Sequence, residues 1–140
     1  MNYNRLAIAA VVAWIVDSIY GFLVFGLALN GEFAKYPGVF RSFDAVNGLL
    51  PLMFGGSLLG FLALSYIFAK GHEGGSGVTE GLRFGIVLAV FEFGAFSISS
   101  YVIYNVGRLL AVETAIAAFV EALLIGLVLG VSYRPAARAA

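Results

Sequence analysis

The chain has 140 residues, with eight basic and eight acidic side chains, one histidine and no cysteine. At 61% hydrophobic and 11% charged, with a mean hydropathy of +0.98, it is far from the soluble norm of about half apolar and a quarter charged. Zero net charge gives no electrostatic case for nucleic acid; the lack of cysteine excludes disulfides and thiolate sites, and one histidine argues against a zinc or haem centre.

This composition predicts an all-α membrane protein, a single transmembrane domain over 1–140 folded as a four-transmembrane-helix bundle. A bilayer core needs about 20 apolar residues per helix, and four stretches reach that length: residues 6–29, 49–69, 82–104 and 109–133. The first is read as a retained helix and not as a signal peptide. It is long for such a leader, contains Asp17, and lacks a small-x-small cleavage site near Leu29-Asn30.

Counting cations sets the expected orientation. One side carries Arg5, Lys70, Arg83, Arg134 and Arg138, the other Lys35, Arg41 and Arg108. The excess places both termini in the cytoplasm, in a bacterial inner membrane.

The first connection, 30–46, carries Phe33, Tyr36, Phe40 and Phe43 at helical steps of three and four, interrupted by Pro37-Gly38. A broken interfacial helix is expected, serving as an aromatic belt, or alternatively as a lid or docking surface. The second connection, 70–79, reads as a flexible glycine-rich linker. Thr79 is its expected N-cap, Glu80 suits the positive helix end, and His72 is expected to be solvated. The Walker A order is absent there, so a phosphate loop is not indicated. The third connection, near Asn105 to Arg108, is short enough to force an antiparallel hairpin, with Gly107 suited to the turn. Tyr133-Arg134-Pro135 reads as an interfacial anchor and helix stop.

Helices in lipid associate through close contact of small residues. The pairs Gly56 and Gly60, Gly81 and Gly85, and Gly126 and Gly130 are the packing candidates, and the second span, rich in glycine and free of acids, is expected to be the packing spine. Asp17, Glu92 and Glu121 stand out against this background. Each lies mid-span with no basic side chain nearby in sequence, where a charge costs about 2.5–3.5 kcal/mol. Small residues flank all three: Ala10, Ala13 and Gly21; Gly85, Ala89, Ala95 and Ser99; Thr114, Ala117 and Ala118. The acids are therefore expected to face inward together, with Tyr20 and Ser99 as candidate supporting hydroxyls.

Two functions compete. In the leading one the chain is an accessory or scaffold subunit of a membrane complex, its acids mostly protonated and hydrogen-bonded between helices. In the alternative it is a proton- or cation-coupled transporter or channel, with Asp17, Glu92 and Glu121 as the ion site. Catalysis is not expected: no nucleophile with its base and no metal set is recognisable, and Glu113 is read as stabilising the start of the fourth helix or pairing with Arg108. No cofactor is expected. The partners are the lipid bilayer and other membrane subunits or a second copy.

In size, layout and the acid at Asp17 the chain weakly resembles small multidrug-resistance transporters, although that family uses Glu in its first helix. The runs Pro51-Leu52-Met53-Phe54-Gly55-Gly56 and Glu80-Gly81-Leu82-Arg83-Phe84-Gly85 resemble uncharacterised small bacterial four-helix membrane proteins, a likeness that implies the fold and no activity.

Overall fold

A computed structural model describes residues 2–133. Arg134, Pro135 and Arg138 lie outside the described residues. Among the described residues four helices are long and apolar enough to cross a membrane: α1 (Tyr3–Ala28), α2 (Leu50–Gly71), α3 (Gly77–Ile103) and α4 (Arg108–Ser132). Leu52, Val102 and Ile103 are 75%, 78% and 73% exposed. Such outward-facing apolar side chains suit hydrocarbon and not water.

The helices are arranged as α2–α1–α4–α3. The central pair, α1 and α4, pack on each other, while α2 lies chiefly on α1 and α3 chiefly on α4. Antiparallel pairing of α1 with α2 is fixed by two side chains. Trp14 Nε1 donates to Ser57 Oγ at 2.9 Å, and Ser65 Oγ, fully buried, donates to the Leu6 carbonyl at 2.9 Å.

The closest packing is between α3 and α4. Gly77 faces Gly130, Gly81 faces Gly126 and Gly85 faces Ala122, so near that a Cβ on Gly81 would stand 2.5 Å from the Gly126 carbonyl oxygen. Gly81, Gly85, Gly126 and Gly130 therefore pack as expected, and Gly77 extends the series. The second span is not the spine. A Cβ added to Gly56 or Gly60 would meet nothing within 4 Å. In lipid a glycine left facing tails carries little penalty, so the same spacing does not demand a partner helix.

A core at the end bearing Leu6 and Tyr133 closes the bundle. Leu6, Ala9 and Ala13 of α1 meet Phe68 of α2 and Ile125, Leu129 and Tyr133 at the end of α4. Tyr133 is thus buried and not an interfacial anchor. His72 is also less solvated than expected: its ring sits edge-on to Phe68 and Tyr133, and its Nδ1 accepts from the Gly74 N–H at 3.0 Å.

The connection between α2 and α3 is shorter than expected, because α3 begins at Gly77, where Gly130 leaves room only for hydrogen. Ser76, not Thr79, is its N-cap, its Oγ accepting from the Thr79 N–H at 3.2 Å. The segment is also tethered. Glu80 is 5% exposed and accepts from the Gly75 N–H at 2.9 Å and from Arg83 at 3.0 Å. Arg83 further pairs with Glu73 and donates to the Gly71 carbonyl. Gly74, at φ +96°, supplies the left-handed residue that this return requires.

At the opposite end the first connection folds into two helical turns, Asn30–Phe33 and Phe43–Asn47. Phe33 and Phe40 meet edge-to-face at 4.9 Å, while Phe43 is exposed. Lys35 pairs with Glu32 at 2.5 Å, a hydrogen bond that holds the Lys35 ammonium above its ordinary range. Tyr36 reaches the third connection, its hydroxyl accepting from the Gly107 N–H at 2.9 Å. Gly107 has an ordinary φ of −69°, so its value lies in space: a Cβ there would stand 2.5 Å from that hydroxyl. Tyr36→Phe removes the acceptor and is expected to cost about 1–3 kcal/mol. Amide hydrogen exchange in detergent checks this; the Gly107 amide should exchange faster than in the parent chain.

Candidate proton or ion site

The three mid-span acids arrive from three helices. Asp17 on α1 and Glu121 on α4 bring their carboxyls beside each other. Glu92 on α3 lies within Coulombic reach of both. All three side chains are half-buried. The small residues beside them allow this convergence: Ala10 and Ala13 on α1, Ala89 on α3 and Ala117 on α4 are buried where the helices meet.

The acids are staggered in depth. The register set by Gly81 with Gly126 and Gly85 with Ala122 carries Glu92 to about the level of Ala115. At 1.5 Å per residue this places it about 9 Å closer to the first-connection end than Glu121. Asp17 and Glu121 therefore form a pair, with Glu92 as a separate step above them. Among the described residues no group of three such side chains is placed to hold a metal ion. Two carboxyls that hydrogen-bond to each other share a proton between their oxygens.

The supporting hydroxyls differ from those expected. Tyr20 is at the site, within Coulombic reach of Glu121, but its hydroxyl donates to the Ala117 carbonyl at 2.8 Å. Ser99 is exposed on the bundle surface, as is Ala95. The reason is local: Phe93–Ser97 forms π-type turns before α-helix resumes at Ile98. Wider turns rotate the following residues off the face that α-helical periodicity assigns them. Ser97 and Ser100 take the inward positions instead. A second π segment, Phe22–Ala28, follows Asp17 on α1. Each of these distortions thus lies just beyond an acid, towards the first connection.

Above the acids is a cavity of about 260 Å³. Phe25 of α1, Ser97, Ser100, Tyr101 and Tyr104 of α3, and Thr114 and Ala118 of α4 line it. Phe33 and Phe40 from the first connection lie across its outer part. Ala118 is one turn from Glu121, and Ser97 little more than one turn from Glu92. Thr114 Oγ1 donates to the Leu110 carbonyl at 2.8 Å, leaving its lone pairs for a guest.

Gly21 and Gly26 follow Asp17 in the sequence as Gly126 and Gly130 follow Glu121, but the two sets pack differently. A Cβ on Gly21 would meet nothing within 4 Å, whereas Gly126 and Gly130 are in backbone contact with α3. One of the two roles expected of Glu113 is not met. It forms no ion pair with Arg108 among the described residues, and its Oε2 is buried without a hydrogen-bond partner there. Mid-helix acid spacing in the sequence would have pointed to it, but its place near the start of α4 suggested a surface role.

Comparison with protein-family models, with curated proteins and with solved structures yields no match.

Proposed function

We propose that this chain is a proton- or cation-coupled membrane transporter or channel in which the Asp17–Glu121 pair, with Glu92 above it, takes up and releases the coupling ion. One observation carries this reading: acids from three separate helices converge beneath a hydroxyl-bearing cavity. A purely structural hydrogen bond needs one such pair. It needs neither a third acid a step higher nor a cavity leading towards it. Acids held inside a bundle characteristically serve ion pathways and proton relays.

In this reading the pair alternates between a shared proton and a state in which a cation, or a substrate carrying positive charge, replaces it. The cation count supports a cytoplasmic position for the end bearing Gly75 and the chain termini. The cavity would then face outward. Proteoliposomes with a trapped pH dye test the function: an imposed potential should drive proton uptake in the parent chain, and uptake at the rate of empty vesicles would contradict it.

A second reading, the accessory or scaffold subunit, draws on a different observation. A Cβ on Gly56 or Gly60 of α2 would meet nothing within 4 Å among the described residues, and other membrane subunits or a second copy would supply a neighbour for that face. On that reading the acids serve as a protonated clasp between α1 and α4.

A further inference from the structure

We propose that His72 is a proton-operated clasp on the connection between α2 and α3, closed while its imidazole is neutral and released when the ring gains a proton. The clasp lies at the end of the bundle opposite the cavity, and it works whether or not protons cross the membrane. Its basis is the direction of one hydrogen bond. His72 Nδ1 stands 3.0 Å from the Gly74 backbone nitrogen. A backbone N–H can only donate, so Nδ1 accepts and carries no proton; the ring is neutral, with its hydrogen on Nε2. An imidazolium has N–H groups at both nitrogens and accepts at neither. No rotation of a protonated ring can therefore restore the bond.

The surroundings make the release local and give it a direction. The ring lies edge-on to the buried Phe68 and Tyr133, with centroids 5.9 and 6.1 Å away, while its contact with Gly74 is exposed and open to protons from water. Gly74 turns the chain at φ +96°. Successive N–H groups pin that turn, Gly74 to His72 Nδ1 and Gly75 to Glu80 Oε1 at 2.9 Å. Losing the first leaves the turn on Glu80 alone. Glu80 is also the acid within Coulombic reach of His72, and its carboxylate is already committed to Gly75 and Arg83. A new imidazolium competes for it with both. The other charged and titratable groups at this end are Glu73, paired with Arg83; Lys70, over the Tyr66 ring; Arg5 on α1; and Tyr133 on α4. Just beyond the turn Ser76 caps α3 and Gly77 meets Gly130. The clasp thus governs the segment that leads into the closest helix contact of the bundle. Its sign is fixed: the bond requires the neutral ring, so it is whole at higher pH and is lost as pH falls.

The test is nitrogen-15 NMR of the full chain in lipid nanodiscs, titrated from about pH 8 to about pH 5, the range over which imidazole side chains gain a proton. In the parent the His72 ring nitrogens should pass from the neutral Nε2–H form to imidazolium. The Gly74 amide should shift with the same midpoint, and its exchange protection, corrected for the intrinsic effect of pH, should fall about fivefold. His72→Asn offers the Gly74 N–H a carbonyl oxygen that does not titrate, in the manner of an Asx turn; the amide should then stay bonded throughout. His72→Phe keeps a ring beside Phe68 and Tyr133 but has no acceptor, and the amide should be unprotected throughout. A Gly74 amide that ignores pH in the parent, titrates equally in His72→Asn, or stays protected in His72→Phe overturns the clasp. So does a His72 ring that remains neutral to the acid end of the titration. Should a variant fail to fold by helical circular dichroism, the parent titration decides alone.

Discussion

Replacing Gly81 by valine is expected to separate α3 from α4. Its backbone is so close to Gly126 that even a Cβ would stand 2.5 Å from a carbonyl oxygen, and the obstacle is backbone, which no rotamer change can move aside. Overpacking a tight contact costs typically 1–3 kcal/mol; here about 3 kcal/mol or more is expected, because two further valine carbons must fit as well. The same replacement at Gly56 meets open space, and an effect within about 0.5 kcal/mol is expected. Unfolding in mixed detergent micelles, followed by helical circular dichroism, measures both. Equal destabilisation by the two variants would mean that α2 packs through its glycines after all.

The second large effect is functional. Glu121→Gln keeps the size of the side chain and a hydrogen-bonding group opposite Asp17, so helix packing should survive. What it removes is the exchangeable acid on the α4 side of the pair. Positioned groups that give or take protons contribute typically 10²–10⁴-fold to a rate, so vesicle proton uptake should fall by about a hundredfold or more. Stability in detergent should stay within about 1 kcal/mol of the parent, the scale of one net hydrogen bond. Normal flux with lower stability would assign the pair to the clasp role of a scaffold subunit.

Much of this architecture is legible in the sequence because bilayer physics leaves few options. Length and apolarity mark the four spans, and the observed helices differ from the expected ones by a few residues at their ends. The convergence of Asp17, Glu92 and Glu121 is legible too, through the alanines beside them, since small faces are contact faces. Which glycines make contacts is not legible. Gly56 with Gly60 and Gly126 with Gly130 share one spacing, and only tertiary structure assigns the second pair to a backbone contact. The outward position of Ser99 is not legible for a related reason: helical periodicity assumes α-helix throughout, and Phe93–Ser97 departs from it. Ser76 and Thr79 are both competent caps; the choice fell to Ser76 because α3 extends back to meet Gly130. Glu113 was obscured by position, as an acid five residues into a helix reads first as a partner of its positive end.

The convergence of Asp17 and Glu121 into one proton-holding pair is tested most directly by the infrared carboxyl stretch of the lipid-reconstituted chain at neutral pH. A protonated-carboxyl band should be present and should shift or vanish on Asp17→Asn and on Glu121→Gln alike, because each substitution removes one half of the same pair. A band that responds to one substitution and ignores the other would mean that the two carboxyls are separate, and would contradict the site described here.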